Sequence, residues 1–385
     1  MRKWAASILF AVLLPFLLAG CEMIRTVNLQ NRAIVQGVGV DWEGGQYVVT
    51  MQIFSPEGSG GQTIVDPSKE NAQIITCKGA SIAEAVENSA LTQGKDFYLG
   101  HNRILVLGEE AAKQPLWGLF SYFVNSLDSR PDVSLLVTDG KAADILNVGI
   151  KQSILPAMSI ENTVRNAQES GLSEEVYLID AMEGLAQPHR SILIPYIELV
   201  EEGGEEESLR SVQMKGMGVF SSSGFLGKVE EKDLKGLLFL RDTIKNTVYT
   251  LDNQEYQRAA VQLYQRKTII TPEITGDQVR FTATIYTRWT LMEKNMRPGA
   301  DFTEESLRRL ETQLEEQIAK ECLGAFETTV KGYVSDAFYL GDLVWREQPE
   351  LWEKLREDWP QGLLNSELDC RVDVRIDRTG LESVE

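Results

Sequence analysis

Few residues in this chain of 385 could do chemistry, and their spacing limits what that chemistry is. There are two histidines, His101 and His189, and neither has a metal-type partner three or four residues away. The strings HExxH, CxxC and GxSxG are all absent. His101 stands in Gly100-His101-Asn102-Arg103, with Asp96 and Glu109 as the carboxylates that could orient it for proton transfer. A histidine needs a nucleophile or a metal beside it to do more than shuttle protons. The competing reading of His101 and Asn102 is a loop bonded to backbone just ahead of a buried strand. Gly37 and Gly39 begin a GxGxxG-like string, but its third position is Trp42. Gly227-Lys228 lacks the earlier glycine, since 222 is Ser, and the following hydroxyl, since 229 is Val. No phosphate-binding loop is left. The chain is therefore expected not to be an enzyme, and no catalytic set, metal set or cofactor motif is assigned.

Cys21 carries the sharper signal. Arg2 and Lys3 are followed by an apolar stretch from Ile8 to Leu18, broken only by Pro15. That is the pattern of an export signal over residues 1–20. It falls short of the roughly 20 apolar residues a membrane-spanning helix needs. The closing Leu18-Ala19-Gly20-Cys21 resembles a bacterial lipobox. Small residues at 19 and 20 let an extended backbone enter a peptidase groove, and the next thiol takes a diacylglyceryl group. Cleavage before Cys21 removes 20 of 385 residues and leaves 365. Two acyl chains anchor firmly where one is marginal. The expected place is the extracytoplasmic face of a membrane. The alternative is an export signal that ends at a cysteine by chance.

A body of this length has room for two or three domains. The formal charge is −19, and loss of Arg2 and Lys3 lowers it by two, to −21. Such a surface is repelled by nucleic acid and by anionic headgroups. No nucleic-acid partner is expected, and the body should stand off the membrane on its lipid. Beyond Cys21, only Cys77, Cys322 and Cys370 remain, which is no disulfide framework. Cys322 and Cys370 are either buried free thiols or a bridged pair.

Patterning places the elements. Residues 33–40 and 47–54 read as a hairpin turned at Gly44-Gly45, and 58–71 as an exposed loop. Gly37 and Gly39 mark a bulge or a close backbone approach. Asp41 is expected at the hairpin turn, bonding its own backbone. A strand over 73–77 precedes a helix begun by Ser81, with Glu84 completing a capping box. Strands are expected at 104–107, 133–138 and 191–200. Helices are expected at 109–126 (bent at Pro115), at 141–147, and at 156–186 with a break near Gly171. The run EEGGEEE at 201–207 is acidic and glycine-containing. It is read as a linker over 201–210, between an N-terminal α/β domain (21–200, with room for two subdomains) and a C-terminal α+β domain (211–385). In the second half, strands follow at 212–220, 247–251, 259–270 and 278–292. The alternation in VRFTATIYTRWTLME points to an antiparallel sheet with one wet face. Thr303 caps a long helix to about Ser335, a Trp-containing helix covers 349–359, and 368–376 closes the sheet. The fold class is α+β, multi-domain, with mixed or antiparallel sheets packed with helices. Trp345, Trp352 and Trp359 recur every seven residues, which puts Trp352 and Trp359 near one helical face. They are either core or an aromatic patch for a partner.

Several segments together resemble one family, the Ger(x)C lipoproteins. They are the lipobox, AIVQGVGVD (33–41), YVVTMQIFSP (47–56), GHNRILVLGEEAA (100–112) and SRPDVSLLVTDGKAADIL (129–146). In the second half they are MGVFSSSGFLGKVEEKDLKGLLFL (217–240) and the closing stretch 333–380. Two places depart from the family pattern. Glu22 to Thr26 lacks its Trp-Asp and Arg-Glu pairs. DAFYLG at 336–341 stands where the pattern tends toward Asp-Ile-Phe-Gly-Phe-Gly. The resemblance implies a non-enzymatic C subunit of a spore germinant receptor, on the outer face of the spore inner membrane. It also implies assembly with two integral membrane subunits, one permease-like, in nutrient detection. Whether this subunit itself binds nutrient is left open. The competing functions are an extracytoplasmic solute-binding lipoprotein and a surface hydrolase using His101.

Overall fold

The computed structural model describes residues 32–55, 71–148, 155–202, 209–252, 256–275, 278–296, 302–359 and 361–378. The leader, Cys21 and most of the expected 58–71 loop lie outside them. β1 (Arg32–Glu43) and β2 (Gln46–Phe54) form the expected hairpin. Its turn residues Gly44 and Gly45 take φ of 57° and 83°, which glycine adopts without a Cβ clash. β3 (Ala72–Gly79) pairs on the outside of β2. α1 (Ile82–Gln93) starts where the Ser81 hydroxyl accepts the Glu84 N–H at 3.1 Å, while Glu84 reaches back to the Ala80 N–H at 2.8 Å. β4 (Asp96–Tyr98) and β5 (Ile104–Leu107) both run parallel to β1.

After β5 the expected single bent helix is two pieces, α2 (Glu109–Ala112) and α3 (Leu116–Asn125), with Pro115 at the break. β6 (Ser134–Thr138) follows, then α4 (Ala142–Leu146), α5 (Pro156–Glu169) and α6 (Leu178–Leu185). Gly171, at φ 67°, interrupts the helical run as expected. β7 (Ile192–Glu202) runs parallel to β6. Alternate residues of β5 face opposite ways, giving three layers. Leu105 and Leu107 join α3 and α6 in the main core, while Ile104 and Val106 join α4 and α5 in a second cluster.

The acidic run does not separate two sheets. β7 pairs antiparallel with β8 (Leu209–Ser221), from Ile192↔Phe220 to Glu202↔Leu209. Residues 201–202 and 209–210 are therefore strand residues of one sheet, nine-stranded among the described residues, and 203–208 lie outside those residues. Glycine and charge mark an exposed turn equally well in a linker or a long hairpin, so composition alone does not tell them apart. That sheet ends with β9 (Gly224–Glu230), which leads into α7 (Glu231–Leu240); neither shows in the periodicity.

The second sheet has order β10-β11-β12-β13. β10 (Val248–Leu251) flanks the long hairpin of β11 (Tyr256–Thr275) and β12 (Gln278–Met296). On β12, Phe281, Ala283, Ile285, Trp289 and Leu291 point inward as the alternation requires. α8 (Glu304–Phe326) begins at Thr303, whose hydroxyl accepts the Ser306 N–H at 3.2 Å. It buries the row Leu310, Leu314, Ile318, Cys322 at i, i+4 spacing, then ends in a π turn over Glu327–Gly332. α9 (Leu340–Glu347) and α10 (Pro349–Leu355) follow. The closing strand β13 (Glu367–Arg378) adds parallel to β12. One main core joins Val35 of β1 to Ile376 of β13, so the two sheets share a single packed interior.

Candidate functional site

In open sheets with parallel strands, ligands sit at the carboxyl ends of strands whose connections leave toward opposite faces. Here that split falls between β5, which feeds α2 and α3, and β6, which feeds α4 and α5. Asp41 fills the place. Its side chain is buried, and its carboxylate accepts the Ala142 N–H at 2.8 Å and the Ala143 N–H at 3.1 Å. Those first-turn N–H groups are the ones a helix offers to an anion. A Cβ on Gly108 would stand 1.9 Å from the Asp41 carboxylate, so only glycine fits beside it. The crevice is closed by Gly108 N–H donating to Val40 O and Glu109 N–H to Gly140 O, each at 2.9 Å.

Asp41 therefore does not bond its own turn, as expected from sequence. It lies within β1 and caps a helix 101 residues away. Gly37 and Gly39 are the expected close approach. Added Cβ atoms would stand 3.1 Å from Ala157 and Leu146, and 3.0 Å from Ala142. Burial pushes the Asp41 carboxyl above its ordinary value, opposed by the two helix N–H groups. Gln52, which carries no motif in the sequence, secures the same corner. Its amide donates to Leu146 O and accepts from Ala157 N, each at 2.9 Å. Asp41→Ala should leave two buried N–H groups unpaired and cost about 1–3 kcal/mol. Denaturant midpoints would show it, with Asp41→Asn losing less because one acceptor oxygen remains.

The other sequence-selected residues do not gather at this crevice. His101 is exposed, its ring edge-on to Tyr98 at 5.8 Å between centroids. Asn102 is fully buried, and neither end of its amide has a protein partner, which is the situation ordered water satisfies.

A second cluster joins the two halves of the chain. Glu174, between α5 and α6, makes a bidentate pair with Arg241 at the end of α7, both bonds 2.9 Å. The Thr243 hydroxyl donates to Glu174 at 3.0 Å, and Arg241 also donates to Ala337 O at 2.6 Å. The Arg241 and Arg190 guanidiniums lie 4.8 and 4.9 Å from the centre of the Tyr339 ring. Tyr339 holds φ at 57°, a left-handed conformation that costs a non-glycine residue roughly 1–2 kcal/mol.

Asp336 organises the start of α9. It is fully buried and accepts from the N–H groups of Leu340 (2.7 Å) and Gly341 (2.8 Å) and from Trp359 Nε1 (2.9 Å). Burial pushes its carboxyl up, and those three donors oppose the shift. Asp342 holds His189 Nε2 and Arg190 Nε, each at 2.8 Å. Burial raises its carboxyl too, but the His189 and Arg190 hydrogen bonds win and the net shift is downward. Trp352 and Trp359 stand 5.2 Å apart with rings edge to face, and Trp352 also meets His189 at 4.8 Å. They are 6% and 7% exposed, so the partner-surface reading of Trp352 and Trp359 is corrected. The seven-residue spacing continues through a break from α10 into a 3₁₀ turn, and that break folds both rings inward. Trp345 is the exposed member of the series, at 58%. Glu174, Arg241, Asp336 and Asp342 carried no sequence signal of their own, because nothing local marks an ion pair formed across 67 or 152 residues.

The fold and these clusters define a class: an α+β protein whose sheets share one core and whose parallel-strand crevice is closed by its own side chain. Residues 25–199 match the spore germination protein N-terminal domain, and residues 215–380 match the spore germination B3/GerAC-like C-terminal domain. The chain belongs to this family of spore germination proteins. It is 21% identical to spore germination protein KC of Bacillus subtilis (strain 168), over 99% of this chain and 97% of that protein. It is 22% identical to spore germination protein B3 of the same organism, over 95% of each. The crystal structure of the GerBC protein has the same fold, with a TM-score of 0.58 at 19% identity, covering 89% of this chain and 97% of that one.

Proposed function

We propose that this chain is a C-type subunit of a spore germinant receptor, non-enzymatic and held to the membrane by lipid on Cys21. The observation that carries the proposal is the pair of family matches, which run from residue 25 to residue 380 and begin four positions after Cys21. The proposed location is the extracytoplasmic face, at the spore inner membrane, beside two integral membrane subunits. Its contribution is shape and position. Asp41 occupies the crevice where a sheet of this kind would hold a ligand, and the Glu174–Arg241 joint ties the two halves. Tethering a body of this kind to the bilayer turns weak contacts with membrane partners into effectively intramolecular ones. Its net charge of −21, after loss of the leader's two cations from −19, holds it off anionic headgroups.

The test is recovery of a tagged chain from mildly solubilised spore membranes. Two multi-span proteins should accompany it, and Cys21→Ala should move the chain to the soluble fraction and lose both. Recovery of the abundant native chain alone, or retention of the Cys21→Ala chain in the membrane, would overturn the reading.

A further inference from the structure

Cys322 and Cys370 sit on two elements whose register is set independently of sulfur. Glu311 of α8 accepts the Ile376 N–H of β13 at 2.8 Å, and Glu315 accepts the Val374 N–H at 3.1 Å. Four residues along the helix thus correspond to two residues back along the strand. The rises agree, at about 6 Å for four helical residues and about 6.6 Å for two strand residues. Two further steps reach Leu323 beside Cys370. Leu323 is 40% exposed while Cys322 is fully buried, so Cys322 is the residue of that turn turned toward β13. It lies seven residues after Glu315, on the same stripe of the helix. Each thiol shifts the other: Cys322 is held up by burial and then by Cys370, and Cys370 is held down by Cys322. On the other side of Cys370, its register partner on β12 is Ala283, whose small side chain leaves the pair uncrowded.

We infer that Cys322 and Cys370 are a disulfide-forming pair that clasps the long helix to the closing strand. The roles differ by access. Cys370 is partly exposed, and the hydrogen bond from Cys322 holds its thiol below the ordinary value. Cys322 is buried, and burial holds its thiol up. Thiolate is the attacking form, so Cys370 reacts first with a small disulfide oxidant. The Cys370 sulfur bonds one sulfur of the oxidant, and the other leaves as a thiol with the Cys370 proton. Cys322 then attacks the Cys370 sulfur of this mixed disulfide. The protein S–S bond forms, the oxidant's second half leaves as a thiol with the Cys322 proton, and two electrons have passed to the oxidant. Cys77, on β3 of the other sheet, has no part in this. In the cell the bond rests on the export reading above, since disulfides persist outside the reducing cytoplasm.

The experiment treats purified, folded full-length protein with excess oxidised glutathione and digests it without reduction. The expected result is a linked peptide pair holding Cys322 and Cys370, lighter than the two free peptides by two hydrogens and separated by reductant. Cys370→Ser should abolish it and leave Cys322 unreactive to alkylation in the folded protein. Recovery of Cys322 and Cys370 as free thiols, or as a lasting glutathione adduct on Cys370, would overturn the inference. The membrane recovery described above scores the export reading separately, so either can fail alone.

Discussion

Arg241→Ala should be among the most damaging single changes in this protein, at about 3–5 kcal/mol of stability. The reason is what it leaves behind. Glu174 and Arg241 are 14% and 11% exposed, and Glu174 takes three of its hydrogen bonds from Arg241 and Thr243. Removing the guanidinium strands a carboxylate in a dry site, and also frees Ala337 O and one side of the Tyr339 ring. Changing both residues to methionine should recover much of the loss, because the desolvation cost disappears with the charges. If the double variant were as unstable as Arg241→Ala, the buried-charge explanation would be wrong.

The same pair has a pH signature. Burial raises the Glu174 carboxyl, but the Arg241 charge and hydrogen bonds outweigh it and the net shift is downward from 4.5. A depressed carboxyl contributes stability that is complete above its unfolded value and is lost as pH falls below 4.5 through the folded value. Asp41 and Asp336 are shifted upward, so their effect has the opposite sign. Thermal unfolding as a function of pH should therefore fall less steeply in Glu174→Gln than in the wild type at the acid end. An unchanged slope would remove Glu174 from the account.

Gly236→Ala should be the second large effect, about 1–3 kcal/mol or more from overpacking. Gly236 lies in α7 where that helix meets α8. An added Cβ would stand 2.0 Å from Glu321 O and 2.6 Å from Cys322 N, and backbone cannot swing aside as a side chain can. On the facing helix, a Cβ at Gly324 would stand 2.5 Å from the Asp233 carboxylate, which itself accepts the Thr328 hydroxyl at 2.7 Å. The two helices touch through these glycines. Within a helix, glycine to alanine ordinarily stabilises by about 0.5–1 kcal/mol. Gly118→Ala in α3 should do so, since nothing lies within 4 Å of its added Cβ. Chemical denaturation of the two variants should give shifts of opposite sign. Shifts of the same sign would mean that the α7–α8 contact is looser than the distances require.

Elements set by local rules were legible. The Ser81 and Thr303 caps, the Gly44-Gly45 turn, the break at Gly171 and the alternation of β12 all stand as the sequence implied. Each depends on residues within a few positions of one another, so spacing alone specifies it. β9 and α7 were not legible from periodicity, because β9 (GFLGKVE) is mostly half-buried and the apolar residues of α7 crowd its last turns. At the candidate site, Gly37 and Gly39 announced a close approach without naming what approaches.

The sequence by itself determined the leader pattern ending at Cys21, the acidic balance, the α+β class and the family resemblance, since all of these are properties of composition or of short ordered segments. Only the tertiary structure decided that β7 and β8 pair across the acidic run, that Asp41 closes the crevice, that Trp352 and Trp359 are buried while Trp345 is not, and that Cys322 faces Cys370. The physical reason is common to all four. A side chain's type states what partner it needs, but which partner it meets depends on sheet order and on the register of elements far apart in the chain.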